Sequence, residues 1–213
     1  MGVTQAAGLS LRWFRDTLGH DYMKEAEQAG LDPYVVMDHH VEHVPIGSRR
    51  LLYLPYLMGE RTPHLDPDCR GVFFGLSAIH TQDDMLRAVM EGVSYSLTDC
   101  QDILRDMGIV VQEMMACGGG GRSPLWRQML ADMYNCEVKT VSSKEGPALG
   151  AAILAGVGAG LFKNVVTACR DFIDTKTYCQ PDPTAHAYYE KGHALYQKLY
   201  RQLAGCYQDL ATL

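Results

Sequence analysis

No C-x-x-C pair occurs in the 213 residues, and the seven cysteines, at 69, 100, 117, 136, 169, 179 and 206, are an odd number scattered singly. That arrangement excludes a disulfide framework or a zinc finger and leaves reduced, mostly buried thiols as the expectation. No block of about five like charges exists. With a formal net charge of −6, a nucleic-acid or anionic-membrane surface is a poor fit. No apolar run approaches the roughly 18 residues of a membrane span, and Met1–Gly8 lacks the charged flank and apolar core of a secretion signal. Internal repeats and low-complexity tracts are also missing. What remains is a cytoplasmic globular protein, and 47% hydrophobic with 21% charged residues suits a packed core.

Local signals divide the chain into alternating elements. A helix is expected over Ser10–Leu18, with Ser10 as its cap, and a second from Asp21. Asp32-Pro33 reads as an N-cap followed by proline at the first helical position, opening a helix to about His43. Leu51–Leu57 and Val72–Leu76 read as strands around a loop rich in turn formers and charges. Thr81 with Asp84 resembles a capping box for a long helix to about Met107. After it come a buried strand at Met114–Cys117, a helix at Pro124–Tyr134 and a strand at Glu137–Val141. A small-residue helix at Pro147–Gly158, a strand within Phe172–Tyr178 and a last helix at Pro183–Leu210 complete the series. Such alternation predicts a single sheet sandwiched by helices, with parallel pairs joined by crossovers.

The most informative stretch is Cys117-Gly-Gly-Gly-Gly-Arg-Ser-Pro124, between a strand and a helix. Four glycines reach backbone angles closed to other residues and admit a ligand without a Cβ in the way. Ser123 caps a helix that starts at Pro124, so backbone N–H groups are available to a polar or anionic ligand. The pattern is neither common glycine fingerprint: Gly118-x-Gly120-x-x-Ser123 lacks the third glycine of the dinucleotide motif, and Gly156-x-x-x-x-Leu161 lacks the second of the P-loop. A second bare segment, Glu145–Ala152, follows the next strand. Two side-chain-poor turns at the carboxyl ends of neighbouring strands predict a slot at one sheet edge, wide enough for a flat aromatic base.

Four segments resemble, in order, the second domain of the FGGY carbohydrate kinases, a family with the actin/hexokinase-like ATPase fold. They are Ser10–Asp16; Tyr53–Gly71; Gly71–Leu76 with Asp84–Glu91; and Gly118–Trp126 with Gly146–Ala152. Within the family the chain is most similar to the xylulokinases. The resemblance implies an α/β fold, ribonuclease H-like, with a mixed sheet flanked by helices and residues 1–213 forming a carboxyl-terminal nucleotide-binding domain. It implies ATP-dependent phosphorylation of D-xylulose, or of another pentulose or polyol, with Mg²⁺. Gly119 and Gly120 would lie against the nucleotide, with Gly118, Gly121, Ser123 and Pro124 nearby and Gly8 and Arg12 reaching it from the first helix. Arg12 and Pro124 depart from the residues that relatives carry there. The family's base is an aspartate in a Gly-Asp segment, and no Gly-Asp dipeptide occurs here. No catalytic residue or metal ligand is therefore assigned, the amino-terminal sugar-binding domain is expected to be absent, and the chain is expected to be inactive alone. Association into a homodimer and a non-catalytic nucleotide-binding module are further expectations.

Three other features carry weaker signals. His39, His40 and His43 share a helix face, but no further donor completes a metal set nearby. Glu60, Arg61, Asp66, Asp68 and Arg70 crowd one loop, as a solvated or ion-paired surface does. Tyr188, Tyr189, Tyr196, Tyr200 and Tyr207 on the last helix suggest packing.

Overall fold

The computed structural model describes residues 1–141 and 146–213. Helices α1 (Ala7–Thr17), α2 (His20–Ala29) and α3 (Pro33–Val41) come first, then strands β1 (Leu52–Leu54) and β2 (Val72–Phe74). The long α4 (Gln82–Asp106) is followed by β3 (Glu113–Ala116), α5 (Pro124–Tyr134) and β4 (Glu137–Val141). Helices α6 (Gly146–Gly158) and α7 (Val165–Phe172), strand β5 (Thr175–Cys179) and helix α8 (Pro183–Ala211) complete the fold. Among the described residues no helix is long and apolar enough to cross a membrane.

Among the described residues the strands pair as two sheets rather than the one expected. β1 and β2 form an antiparallel pair, while β3, β4 and β5 form a mixed sheet in that order, β3–β4 parallel and β4–β5 antiparallel. Pairing is decided by tertiary contacts that a strand's own pattern does not carry. The strands are also shorter than their apolar runs: β1 stops before Pro55, which has no N–H for a ladder, and β2 stops before Gly75 at φ +92°. β3 alternates exposed and half-buried residues rather than being buried, as a strand covered on one face only does. Ser10 is not a cap. α1 starts at Ala7, and the Ser10 hydroxyl donates back to the Ala6 carbonyl one turn earlier. α7 stands in a stretch to which the sequence reading assigns no element; Asn164 caps it, its side-chain oxygen accepting from the Thr167 N–H at 2.9 Å.

Helix α4 is the axis of the molecule, packed by α1, α3, α5, α8 and β1. Fifteen of its residues are buried, on every side. Its close contact with β1 depends on Gly92, where a Cβ would stand 2.1 Å from the Tyr53 carbonyl oxygen. Buried Arg87 and Glu91 pair one turn apart at 2.9 Å. Arg87 also donates to the Val44 carbonyl (2.9 Å) and the Tyr189 hydroxyl (3.1 Å). Glu91 accepts from the Gly47 N–H (2.9 Å) and the Ser48 hydroxyl (2.8 Å). The last helix packs as expected: Tyr189, Tyr196 and Tyr207 are buried, and Tyr196 accepts from the Tyr56 hydroxyl at 2.9 Å.

The start of α4 gives a measurable prediction. Thr81 and Asp84 form a capping box, and Arg49 reaches Asp84 at 3.0 Å. Burial opposes the Asp84 charge, but the Thr81 N–H and hydroxyl and the Arg49 guanidinium more than offset it, so its pKa lies below the ordinary carboxylate value. A depressed carboxylate contributes its full stability above the unfolded value of about 3.9 and loses it as pH falls through the lower folded value. Asp84→Ala is expected to cost about 1–2 kcal/mol near neutral pH. In urea titrations the gap to the parent chain narrows as pH drops below about 4; a gap that stays constant would show that the carboxylate's charge is not what caps the helix.

Candidate functional site

A cavity of about 380 Å³ lies between the start of α1, the middle of α4, β3 and the start of α5. That volume falls at the small end of the range for ligand pockets, roughly 300–1,000 Å³. Its wall joins Gly8 of α1 to Gly119, Gly120 and Gly121 of the glycine loop, with Met114 of β3 and Trp126 of α5. Four of the expected site residues thus meet at one place. Gly118, Ser123, Pro124 and Arg12 lie outside that wall. Arg12 is exposed, one helical turn beyond Gly8 on α1.

Each glycine of the loop has its own reason to be there. Gly118 adopts φ +76°, where a side chain is strained. A Cβ on Gly121 would sit 2.7 Å from the Ala116 carbonyl oxygen, so the loop folds tightly back on β3. One on Gly120 would come within 3.3 Å of the Trp126 ring. Gly119 has ordinary helical angles, and a Cβ there would meet nothing within 4 Å. Its bareness serves the cavity rather than the fold.

Residues that sequence reasoning missed hold this loop from behind. Arg127, buried on α5, donates to the carbonyls of Gly121 (2.8 Å) and Arg122 (3.0 Å). Ser123 caps α5, accepting from the Trp126 N–H at 3.0 Å. Its hydroxyl also reaches Asp38, whose pKa is raised by burial with Ser123 partly offsetting the rise. The Trp126 indole N–H donates to the Ser94 hydroxyl (2.8 Å), which donates in turn to the Met90 carbonyl (2.8 Å). α4 therefore fixes the aromatic floor under Gly120. Trp126, Met114, Tyr134 and Val138 show in the sequence only as apolar residues at core spacing, which gives no hint of a pocket.

The second bare segment behaves differently from expectation. β3 and β4 are parallel with Ala116 opposite Thr140, so the chain leaves both at the same sheet edge. Yet no described residue of α6 forms part of the cavity wall. α6 packs chiefly on α7, and its Gly156 meets Phe162 of the connection between the two helices. Glu145, at the start of that segment, lies outside the described residues.

The remaining clusters have structural partners. His40 bonds Glu25 at 2.9 Å and lies 3.4 Å from Asp83, and the Glu25 hydrogen bond helps raise its pKa. His39 and His43 are exposed. Glu60 turns inward to accept from the N–H groups of Gln5 (2.8 Å) and Arg61 (2.7 Å). Asp66 accepts from the Tyr200 hydroxyl at 2.8 Å.

The cavity has an apolar, partly aromatic wall and a side-chain-free rim, a shape that accepts a flat heterocycle. Among the described residues its wall carries no carboxylate, imidazole or ammonium group, and its polar side-chain atoms are those of Cys117, Trp126 and Tyr134. Comparison with known proteins shows the family. Residues 1–159 match the model of the FGGY family of carbohydrate kinases, C-terminal domain. A xylulose kinase of Staphylococcus epidermidis is 38% identical over 213 residues, covering 100% of this chain and 41% of its own length. A gluconokinase of Bacillus licheniformis is 36% identical over 218 residues, covering 99% and 41%. The crystal structure of ligand-bound xylulose kinase from Lactobacillus acidophilus superposes with a TM-score of 0.85 at 30% identity, over 97% of this chain and 40% of that one. The fold is thus the actin/hexokinase-like one, with a mixed sheet and flanking helices, and the chain spans about two fifths of the length of these relatives.

Proposed function

The chain belongs to the FGGY family of carbohydrate kinases, and from that premise we propose that residues 1–213 form the nucleotide-binding half of a kinase that phosphorylates D-xylulose at the expense of ATP. The observation that carries the reading is the cavity in which Gly8 meets Gly119–Gly121 over the Trp126 ring. An adenine nucleoside fits it: the wall is apolar for the base, and the bare backbone of Gly119 lets the sugar approach. Bound there, ATP supplies the phosphoryl group. The chain's own residues orient it: Arg127 and Ser123 hold the loop, and Ser94 holds Trp126. Because no carboxylate lines the wall among the described residues, this chain offers Mg²⁺ no ligand at the cavity, and none of its residues is given a role through that ion.

Phosphoryl transfer joins a sugar hydroxyl oxygen to the γ-phosphorus, breaks the β–γ bridge and releases the hydroxyl proton to a base. The described wall holds no such base. These 213 residues therefore bind nucleotide without turning over sugar, and the sugar-binding residues belong to a further domain. D-xylulose is favoured by the xylulose kinase relative at 38% identity; gluconate is the second reading, supported by the gluconokinase at 36%.

Cys117 provides the test. It is exposed and lines the cavity, whereas Cys206 is exposed on α8. ADP at ten times its Kd is expected to slow maleimide labelling of Cys117 about tenfold, following the unoccupied fraction, and to leave Cys206 unchanged. Equal labelling rates with and without ADP would remove the nucleotide site. D-xylulose turnover by the purified chain above a mock preparation would overturn the assignment of the chemistry to a further domain.

A further inference from the structure

A second cavity, of about 500 Å³, opens where α4 and α8 pass the end of α5, and it shares no wall residue with the glycine-loop cavity. Asp102 of α4 lines it with His193 and Gln197 of α8, and Asp99, three residues before Asp102, lies behind that wall against the same two α8 side chains; residues three or four apart share one side of a helix. Asp99 is buried, its side chain only 3% exposed. Its Oδ1 accepts from the His193 Nε2 and from the Gln197 amide, both at 2.8 Å. Its Oδ2 is also buried and has no hydrogen-bond partner among the described residues. Asp102 directs Oδ1 to Arg105 at 2.9 Å, while its Oδ2 stands 3.4 Å from the Gln197 amide and 3.8 Å from His193 Nδ1. One donor atom from each of Asp99, Asp102 and His193 falls within 4.8 Å of the other two. The His193 ring is kept in its plane by Tyr95, stacked at 5.7 Å and 11°.

A buried carboxylate oxygen with no partner is a cost on the order of 1–3 kcal/mol that native structures rarely leave standing. Here it belongs to a carboxylate that is itself one of a convergent set of oxygen and nitrogen donors. We propose that Asp99, Asp102 and His193 bind a divalent transition-metal ion of the Mn²⁺–Zn²⁺ class, with Gln197 as a fourth donor. The Gln197 side-chain nitrogen occupies the middle of the cluster; turning the amide over replaces it with the carbonyl oxygen, a ligand of the required kind. One imidazole with two carboxylates and an amide oxygen suits Mn²⁺, Co²⁺ or Zn²⁺, whereas Mg²⁺ prefers an all-oxygen octahedron. The ion staples α8 to α4, the helix that carries Ser94 and the wall of the other cavity. This site is independent of the nucleotide reading.

The test uses the whole chain, stripped of metal by a chelator and titrated with Mn²⁺ while the free ion is followed by electron paramagnetic resonance. Mn²⁺ is chosen because the seven cysteines are poor ligands for it. One Mn²⁺ per chain is expected, with affinity at least about tenfold weaker in His193→Gln and in Asp102→Asn. Absence of binding, or binding equal in parent and variants, overturns the proposal. X-ray absorption of the Zn²⁺-loaded parent chain does not depend on how well the variants fold. It is expected to show nitrogen and oxygen ligands at about 2.0–2.2 Å; sulfur ligands at about 2.3 Å would overturn the site.

Discussion

Glu91→Ala is expected to cost about 3–5 kcal/mol, the largest stability loss of any single substitution proposed for this chain. The side chain is 2% exposed and ends the buried network that joins α4, α8 and the turn before β1. Removing it strands the Arg87 guanidinium, 6% exposed, with no counter-charge. It also orphans the Gly47 N–H and the Ser48 hydroxyl, which both donate to it. Those two residues begin an unusual segment: Ser48, Arg49 and Arg50 all have positive φ, at 48°, 52° and 73°. Left-handed backbone costs on the order of 1 kcal/mol per residue without glycine, so this turn leans on its bonds to Glu91 as well as on the Arg49–Asp84 pair. A domain has roughly 5–15 kcal/mol in hand, and losing a third of that shows plainly in urea unfolding. Two companion measurements separate charge from packing. The double variant Arg87→Met/Glu91→Leu is expected to be more stable than Glu91→Ala, because no lone charge remains buried. Trypsin is expected to cut after Arg49 or Arg50 much faster in Glu91→Ala than in the parent. A cost below about 1 kcal/mol, or unchanged cleavage, would mean the turn is held by something else.

The network shows where sequence reading reaches its limit. Asp32 with Pro33, Ser123 with Pro124 and Asp182 with Pro183 each place a capping oxygen before a proline, and all three helices start where that local chemistry puts them. Thr81 with Asp84 works in the same way. These signals are readable because both partners lie within three residues of each other. The Arg87–Tyr189 bond spans 102 positions and the Asp99–His193 bond 94, and nothing at either end marks the other. α7 was missed because Val165 and Val166 follow its Asn164 cap, and branched side chains read more readily as strand. For the candidate site, the glycines were legible because they depart from ordinary composition. Its apolar wall was not, because Trp126 and Val138 look the same whether they face a core or a ligand. The small residues of α6 are legible in the same way, but they do not say what approaches: Gly156 meets Phe162, while a Cβ on Gly146 or Gly150 would meet nothing within 4 Å.

Leucine in place of Gly119 is expected to weaken nucleotide binding severely and leave the fold intact. The position has φ −61° and ψ −48°, angles that any residue adopts. No protein atom would touch a Cβ there, yet Gly119 is part of the cavity wall. The added side chain therefore occupies ligand space and nothing else. A loss on the order of 100-fold in ADP affinity, equivalent to about 2.7 kcal/mol, is expected from the Cys117 protection assay, with the melting temperature unchanged or slightly raised because the unfolded chain loses freedom. Its neighbour gives the opposite result. Gly121→Ala drives a methyl to 2.7 Å from the Ala116 carbonyl oxygen, against strand backbone that cannot give way cheaply. That is expected to cost about 1–3 kcal/mol, or roughly 2–12 °C in melting temperature for a chain of this size, before any ligand is added. Two glycines two residues apart are thus separable, one serving the ligand and the other the fold. If Gly119→Leu binds ADP as the parent does, or melts as early as Gly121→Ala, the cavity is not where the base sits.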